Sequence, residues 1–274
     1  RVVDGPAEPP PPRLTPERAP AVAPARVAHG RVVADWWVYS FTQLAHAEGG
    51  ADPLAAATQA DPGGEDEAPA TDAGDASRDA AVVVDVDPRF TGSRFGVVLH
   101  AALEHADFAA WRAWRAGDAA PDGQAAVIVD ALREGGYAHA DLDDGLAILV
   151  PLVGHTLGTV LPEGVRLADL PIDARRAEIE FHFAMQPTGV QALLALLHRQ
   201  GLLQARTAFG ARQRLEGLMT GLIDLTYQHD GRWYVLDYKS NQLPSYDAVA
   251  MQQAMMHSEY DLQALIYTLA LHRW

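Results

Sequence analysis

The chain contains no cysteine. That excludes a disulfide scaffold and a thiolate zinc site, and it fits a reducing compartment. It has no apolar run of transmembrane length and no signal-peptide core, so no membrane role is expected. Positive charge is scarce: 21 Lys and Arg stand against 36 Asp and Glu, a net charge of −15. A broad basic surface for nucleic acid is thereby excluded, because phosphate contacts need Lys and Arg. A nuclease whose substrate is delivered by a partner is not excluded. The motif GxxxxGK[ST] is also missing, so this chain cannot hydrolyse ATP through a P-loop. What is present is 274 residues at 49% hydrophobic content, enough for one large domain or one domain with a tail.

Composition divides the chain. Residues 1–30 are Pro- and Ala-rich and read as an extended linker. Residues 31–47 form a lead-in segment around Trp36–Leu44 (WWVYSFTQL), with Ser40 placed to cap a following helix. Residues 48–80 carry a run of Asp and Glu against a single Arg, the pattern of a disordered acidic loop. Residues 81–274 hold the folded domain. The chain opens at Arg1 on proline-rich sequence and ends at Trp274 inside a helical pattern, so we read it as a piece of a larger cytoplasmic protein.

The most informative stretch is Gly221–Ser240, GLIDLTYQHDGRWYVLDYKS. Two β-rich runs flank Asp230-Gly231, a dipeptide that favours a two-residue type I′ turn. With those two residues as the loop, His229 pairs with Arg232 and Asp224 falls opposite Asp237. Period-two alternation then puts Asp224, Asp237 and Lys239 on one face. Directly opposed residues have Cβ atoms about 4.5–5.5 Å apart, and like charges there repel. Amid apolar neighbours such a pair needs a shared proton or a cation. A divalent metal is one answer; a solvent-facing hairpin with acids in water is the other.

The rest reads as alternating layers. Ser93–Phe108 has helical period, with Phe95, Val98, Leu99 and Leu103 on one stripe and His100 beside it. A lone helical His is as a rule a surface or packing residue. Phe108–Leu170 reads as further helices broken by Gly and Pro. Arg175–Met185 alternates as a half-buried strand, with Glu178, Glu180 and His182 opposite Ile179, Phe181 and Phe183. Thr188–Arg199 reads as a Thr-capped helix stopped at Gly201. Val249–Trp274 carries one long helical pattern. In it Tyr260, Gln263, Ala264, Tyr267 and Leu271 share a stripe, and Gln263 lies one turn from Tyr267.

Four segments carry a resemblance: GVVLHAALEHADF, EIEFHFAM, GLMTGLIDLTYQHDGRWYVLDYKSNQL and MQQAMMHSEYDLQALIYTLALHR. Together they resemble the C-terminal nuclease domains of the RecB family, within the PD-(D/E)xK nuclease superfamily. WWVYSFTQL resembles the segment leading into that domain. The resemblance implies an α/β, restriction-endonuclease-like fold: a mixed sheet flanked by helices, with an extra helical region. It also implies a further strand after the last helix, so the domain is expected to be truncated at its C-terminal end. By the same resemblance His100, Asp224, Asp237 and the main-chain carbonyl of Tyr238 look like metal ligands. Lys239 looks like the catalytic lysine, supported by Gln263 and Tyr267, and Glu180 matches an accessory acid. The implied cofactor is Mg²⁺, with Mn²⁺ as a substitute and Ca²⁺ as an unproductive occupant. A lysine pressed near a metal should have a depressed pKa. The implied activity is exonuclease and single-strand endonuclease action on DNA. The implied partners are single-stranded DNA, a helicase on the same polypeptide, RecC- and RecD-type subunits and a RecA-type recombinase. A pure recombinase-docking module is the alternative from another class. The acidic composition predicts weak DNA binding with strong salt dependence.

Overall fold

The computed structural model describes residues 37–45, 87–243 and 245–274. The linker, the whole acidic loop, both ends of the lead-in and residues 81–86 lie outside the described residues. Four strands form one mixed sheet: β1 (Trp37–Tyr39), β2 (Arg175–Gly189), β3 (Arg214–His229) and β4 (Arg232–Leu236). The long β3 is its axis. Antiparallel β2 takes one edge of β3 from Arg214 to Tyr227. Two short strands share the other edge. Parallel β1 pairs with Gly217–Met219, and antiparallel β4 pairs with Leu225–His229. Between them, residues 220–224 of that edge carry no strand among the described residues.

The turn sets this register. Asp230 and Gly231 both adopt positive φ, +48° and +72°, the type I′ geometry whose twist matches that of the flanking strands. His229 pairs with Arg232 and Leu225 with Leu236, so one step further brings Asp224 level with Asp237. At the other end, β1 lies close because Gly217 has no side chain. A Cβ there would sit 1.8 Å from the Trp37 carbonyl oxygen. The lead-in is therefore part of the sheet. Its next residues form α1 (Phe41–Ala45), opened by a reciprocal cap in which the Gln43 N–H donates to Ser40 Oγ and the Ser40 N–H to Gln43 Oε1.

Helices α2 (Gly92–Glu104), α3 (Gln124–Glu134) and α4 (Leu142–Gly158) pack into one core against the β4 end of the sheet. The expected α2 stripe is buried as read, with Val98 and Leu103 at most 1% exposed. FAAWRA (Phe108–Ala113) forms a short 3-10 helix. The third helix is unbroken: α4 runs through Pro151. Gly154 is needed there, since a Cβ would strike the Trp114 ring at 2.4 Å.

A second core joins α1 and α5 (Val190–Arg199) to α7 (Tyr260–Arg273) over Phe181, Met219 and Ile223. Two expectations fail here. Gly201, at φ +80°, does stop α5, but Thr188 belongs to β2 and bonds back to the Gln186 carbonyl instead of capping. The final helical pattern is two helices, α6 (Ala248–His257) and α7, separated at Ser258–Glu259. Glu259 takes the left-handed conformation, φ +53°, and its carboxylate holds the Arg206 guanidinium, 1% exposed, at 2.5 Å. Arg206 also donates to the Leu44 and Ala45 carbonyls. One buried cation thus ties the α6–α7 break to the end of α1. Among the described residues no helix is long and apolar enough to cross a membrane.

Candidate active site

The site forms where β4 ends, at the strand-free stretch of β3. Beyond Leu236 the chain leaves the ladder, and the Tyr238 N–H donates to Asp224 Oδ2 at 2.6 Å. His100, projecting from α2, places Nδ1 3.6 Å from the same oxygen. The Tyr238 ring meets the His100 ring edge-on, with centroids 5.8 Å apart. Asp237 turns to a different set of donors. Its Oδ2 lies 2.5 Å from Lys239 Nζ, and its Oδ1 accepts from Gln263 Nε2 at 3.1 Å. Gln263, buried on α7, also donates to the Tyr267 hydroxyl at 3.0 Å. Lys239 Nζ rests 4.4 Å over the Tyr260 ring, and the Tyr260 hydroxyl donates to Asn241 Oδ1.

The structure thus brings His100, Asp224, Asp237, Tyr238, Lys239, Gln263 and Tyr267 into one cluster. The buried stripe of α7 differs from the expected one: Ile266 and Ala270 join Tyr260, Gln263 and Tyr267, while Ala264 is exposed. Tyr260 is a contributor whose position under Lys239 the sequence did not reveal, although its place one turn before Gln263 was the available signal.

Glu180 is not brought to the cluster. Its side chain is 72% exposed and pairs with His182 on the surface. Glu178 is the acid of β2 that falls level with Asp224, between the pairs Ala177–Leu225 and Ile179–Ile223. Glu178 has φ +50°, a costly conformation for a residue with a Cβ, and its charge acts on the Tyr238 hydroxyl. Strand alternation read from sequence cannot anticipate that local kink.

Charge decides what the cluster can hold. Burial, and then the Asp224 charge, push the Asp237 carboxyl up to about 6 against the opposing pull of Lys239. Burial also raises the Tyr238 hydroxyl, with Asp224 adding to it. For Lys239 burial works against the ammonium, yet the Asp237 carboxylate outweighs it and the pKa is raised. Among the described residues no three His, Asp or Glu side chains converge at ligating distance, because Asp224 and Asp237 turn to separate donors. Their chemistry nevertheless suits a hard divalent ion: two carboxylates and an imidazole, with a local excess of negative charge that a cation offsets.

RecBCD enzyme subunit RecB of Escherichia coli (strain K12) is 39% identical over 116 residues, covering 40% of this chain and 10% of that protein. The Haemophilus influenzae RecBCD enzyme subunit RecB is 34% identical over 152 residues, 53% of this chain and 12% of the relative. The Mycolicibacterium smegmatis RecBCD enzyme subunit RecB is 28% identical over 212 residues, 67% and 19%. The chain thus spans at most 19% of the length of these relatives. A model of the PD-(D/E)XK nuclease superfamily matches residues 76–274, a span that takes in every residue of the cluster. On that match, and with a mixed sheet that carries the acids and lysine at the end of one hairpin, the chain belongs to the PD-(D/E)XK nuclease superfamily.

Proposed function

We propose that this chain is a divalent-metal-dependent deoxyribonuclease. It hydrolyses phosphodiester bonds of single-stranded DNA, both from ends and internally, as the strand leaves a helicase borne on the same polypeptide. The setting is a RecBCD-type repair and recombination complex with RecC- and RecD-type subunits, in the bacterial cytoplasm. The observation that supports this best is the convergence, from α2, the hairpin and α7, of His100, Asp224, Asp237, Lys239 and Gln263.

Asp224, Asp237, His100 and the Tyr238 carbonyl would hold Mg²⁺ or Mn²⁺, with Ca²⁺ an inactive occupant. Bound there, the ion supplies Lewis acidity and a more acidic water. Lys239 is protonated and presents its ammonium to the phosphate, balancing charge as it builds and orienting the attacking water. Gln263 fixes the Asp237 carboxylate through Oδ1, and Tyr267 fixes Gln263. Glu178 acts as an accessory acid in the place first given to Glu180. The Tyr238 N–H and the edge of its ring hold Asp224 and His100 in orientation.

The test is degradation of end-labelled single-stranded DNA by the purified chain with Mg²⁺, with EDTA, and as the Asp237→Ala variant. Cutting that needs both the metal and Asp237 is expected. Undiminished cutting by Asp237→Ala, or in EDTA, would sink the proposal. A second activity, docking of a RecA-type recombinase, is favoured by α6, which buries none of its residues and exposes Val249, Met251, Met255 and Met256. Such docking should survive Asp237→Ala.

A further inference from the structure

Between β4 and α7 a cleft of about 420 Å³ opens with Asp237 and Lys239 in its lining. Its walls are Trp233, Val235, Met255, Tyr260 and Ala264, among others. Trp233 lies four residues before Asp237, and alternation puts the two on the same face of the strand, roughly 13 Å apart along it. The indole is 47% exposed, and among the described residues no aromatic ring stacks on it. Tyr260 differs, because its face is covered by the Lys239 ammonium. Lys239 is the sole cation among the residues lining the cleft.

Resting on the nuclease reading above, we propose that this cleft is a base subsite. A nucleobase of single-stranded DNA flanking the scissile phosphate stacks on Trp233, while the phosphate lies at Lys239. Three features commit the cleft to that occupant. It is continuous with the phosphate-handling lysine, so whatever fills it is joined to the reacting group. Its volume is that of a small-ligand site, which accepts an unpaired base and excludes a duplex. Its walls offer aromatic and methionine surface with one positive charge, so affinity comes from stacking, which every base can supply. This also resolves how a chain of net charge −15 grips DNA without a basic surface. The strong salt dependence expected from composition belongs to phosphate contacts, whereas stacking is nearly independent of salt.

The experiment reads binding in EDTA, so that it does not depend on cleavage. A fluorescent oligothymidine and an abasic strand of equal length are titrated with the whole chain, as wild type, Trp233→Ala and Trp233→Phe. Loss of one stacked base corresponds to about 5- to 150-fold in affinity. Wild type should prefer the base-bearing strand by a factor in that range. Trp233→Ala should lose the preference, Trp233→Phe should keep most of it, and the factor should be similar at low and moderate salt. Equal affinity of wild type for the two strands, or undetectable binding of both, overturns the subsite. So does a Trp233→Ala variant that weakens both strands alike, which would mark a general disturbance. Metal-dependent cutting that is indifferent to Trp233 would leave the nuclease standing while removing the subsite. Loss of the nuclease reading would show instead in the Asp237→Ala cleavage comparison.

Discussion

Asp237→Asn should remove one pH-dependent contribution to the stability of the chain. In the metal-free state the Asp237 carboxyl is held at about 6 instead of its ordinary 3.8, first by burial and then by Asp224. That difference corresponds to ~3 kcal/mol favouring the neutral form. The folded-state value lies above the unfolded one, which fixes the direction. Below pH about 4 both states are protonated. Between about 4 and 6 the folded chain retains a proton that the unfolded chain has lost, so stability falls as pH rises. Above about 6.5 the fall is complete.

Asparagine has no such proton. It also removes the carboxylate that holds the Lys239 pKa up against burial, so in the variant burial lowers that pKa, and the offset is constant at every pH below the lowered value. The stability of Asp237→Asn relative to wild type should therefore rise by ~3 kcal/mol between pH 4 and 7. Urea unfolding in EDTA at several pH values, followed by tryptophan fluorescence, measures it. A difference that stays flat, or that shrinks with pH, would refute the account of a buried, mutually repelling acid pair. Adding Mg²⁺ at pH 7.5 should stabilise wild type and leave the variant unchanged, because only the carboxylate pair gains from a cation.

Gln263→Leu removes the donor to Asp237 and the partner of Tyr267 while preserving bulk, so turnover of single-stranded DNA should fall about 10- to 100-fold with unchanged circular dichroism. Glu178→Gln should lower the cleavage rate, whereas Glu180→Gln, altering an exposed pair with His182, should leave it at the wild-type level; the reverse result would restore Glu180. Arg206→Met leaves the Glu259 carboxylate without its cation and should cost ~3–5 kcal/mol, read as a fall in Tm of roughly 10 °C.

The parts of the site legible in the sequence are those governed by local rules. Asp230-Gly231 determines the turn, the turn determines the register, and the register brings Asp224 level with Asp237 without knowledge of the rest of the fold. Gln263 and Tyr267 meet because helical spacing makes them neighbours. The helical pattern shows His100 only as lying beside an apolar stripe, its ligand role coming from the resemblance, and no pattern on α2 alone says that Asp224 waits across from it. That contact needs the packing of the α2–α4 core onto the end of β3, which joins residues far apart in sequence.

The misread positions share one cause: a distant partner overrides the local preference. Pro151 should end a helix, but α4 continues because its apolar face is buried along its length, with Gly154 admitting the Trp114 ring. Glu259 looks like an ordinary helical residue, and becomes a break because Arg206, 53 positions away, draws its carboxylate into the interior. Glu178 looks like the companion of Glu180 on a regular strand. Its positive φ marks backbone strain level with Asp224, where the strand gives up regular geometry. Strain of that kind persists only where surrounding structure over-determines it, and here β2 is fixed on both sides by its pairs with β3. The strained residue is therefore also the one we propose as the accessory acid; alternation puts Glu178 and Glu180 on one face, and the resemblance pointed to Glu180, whose side chain the structure leaves on the surface.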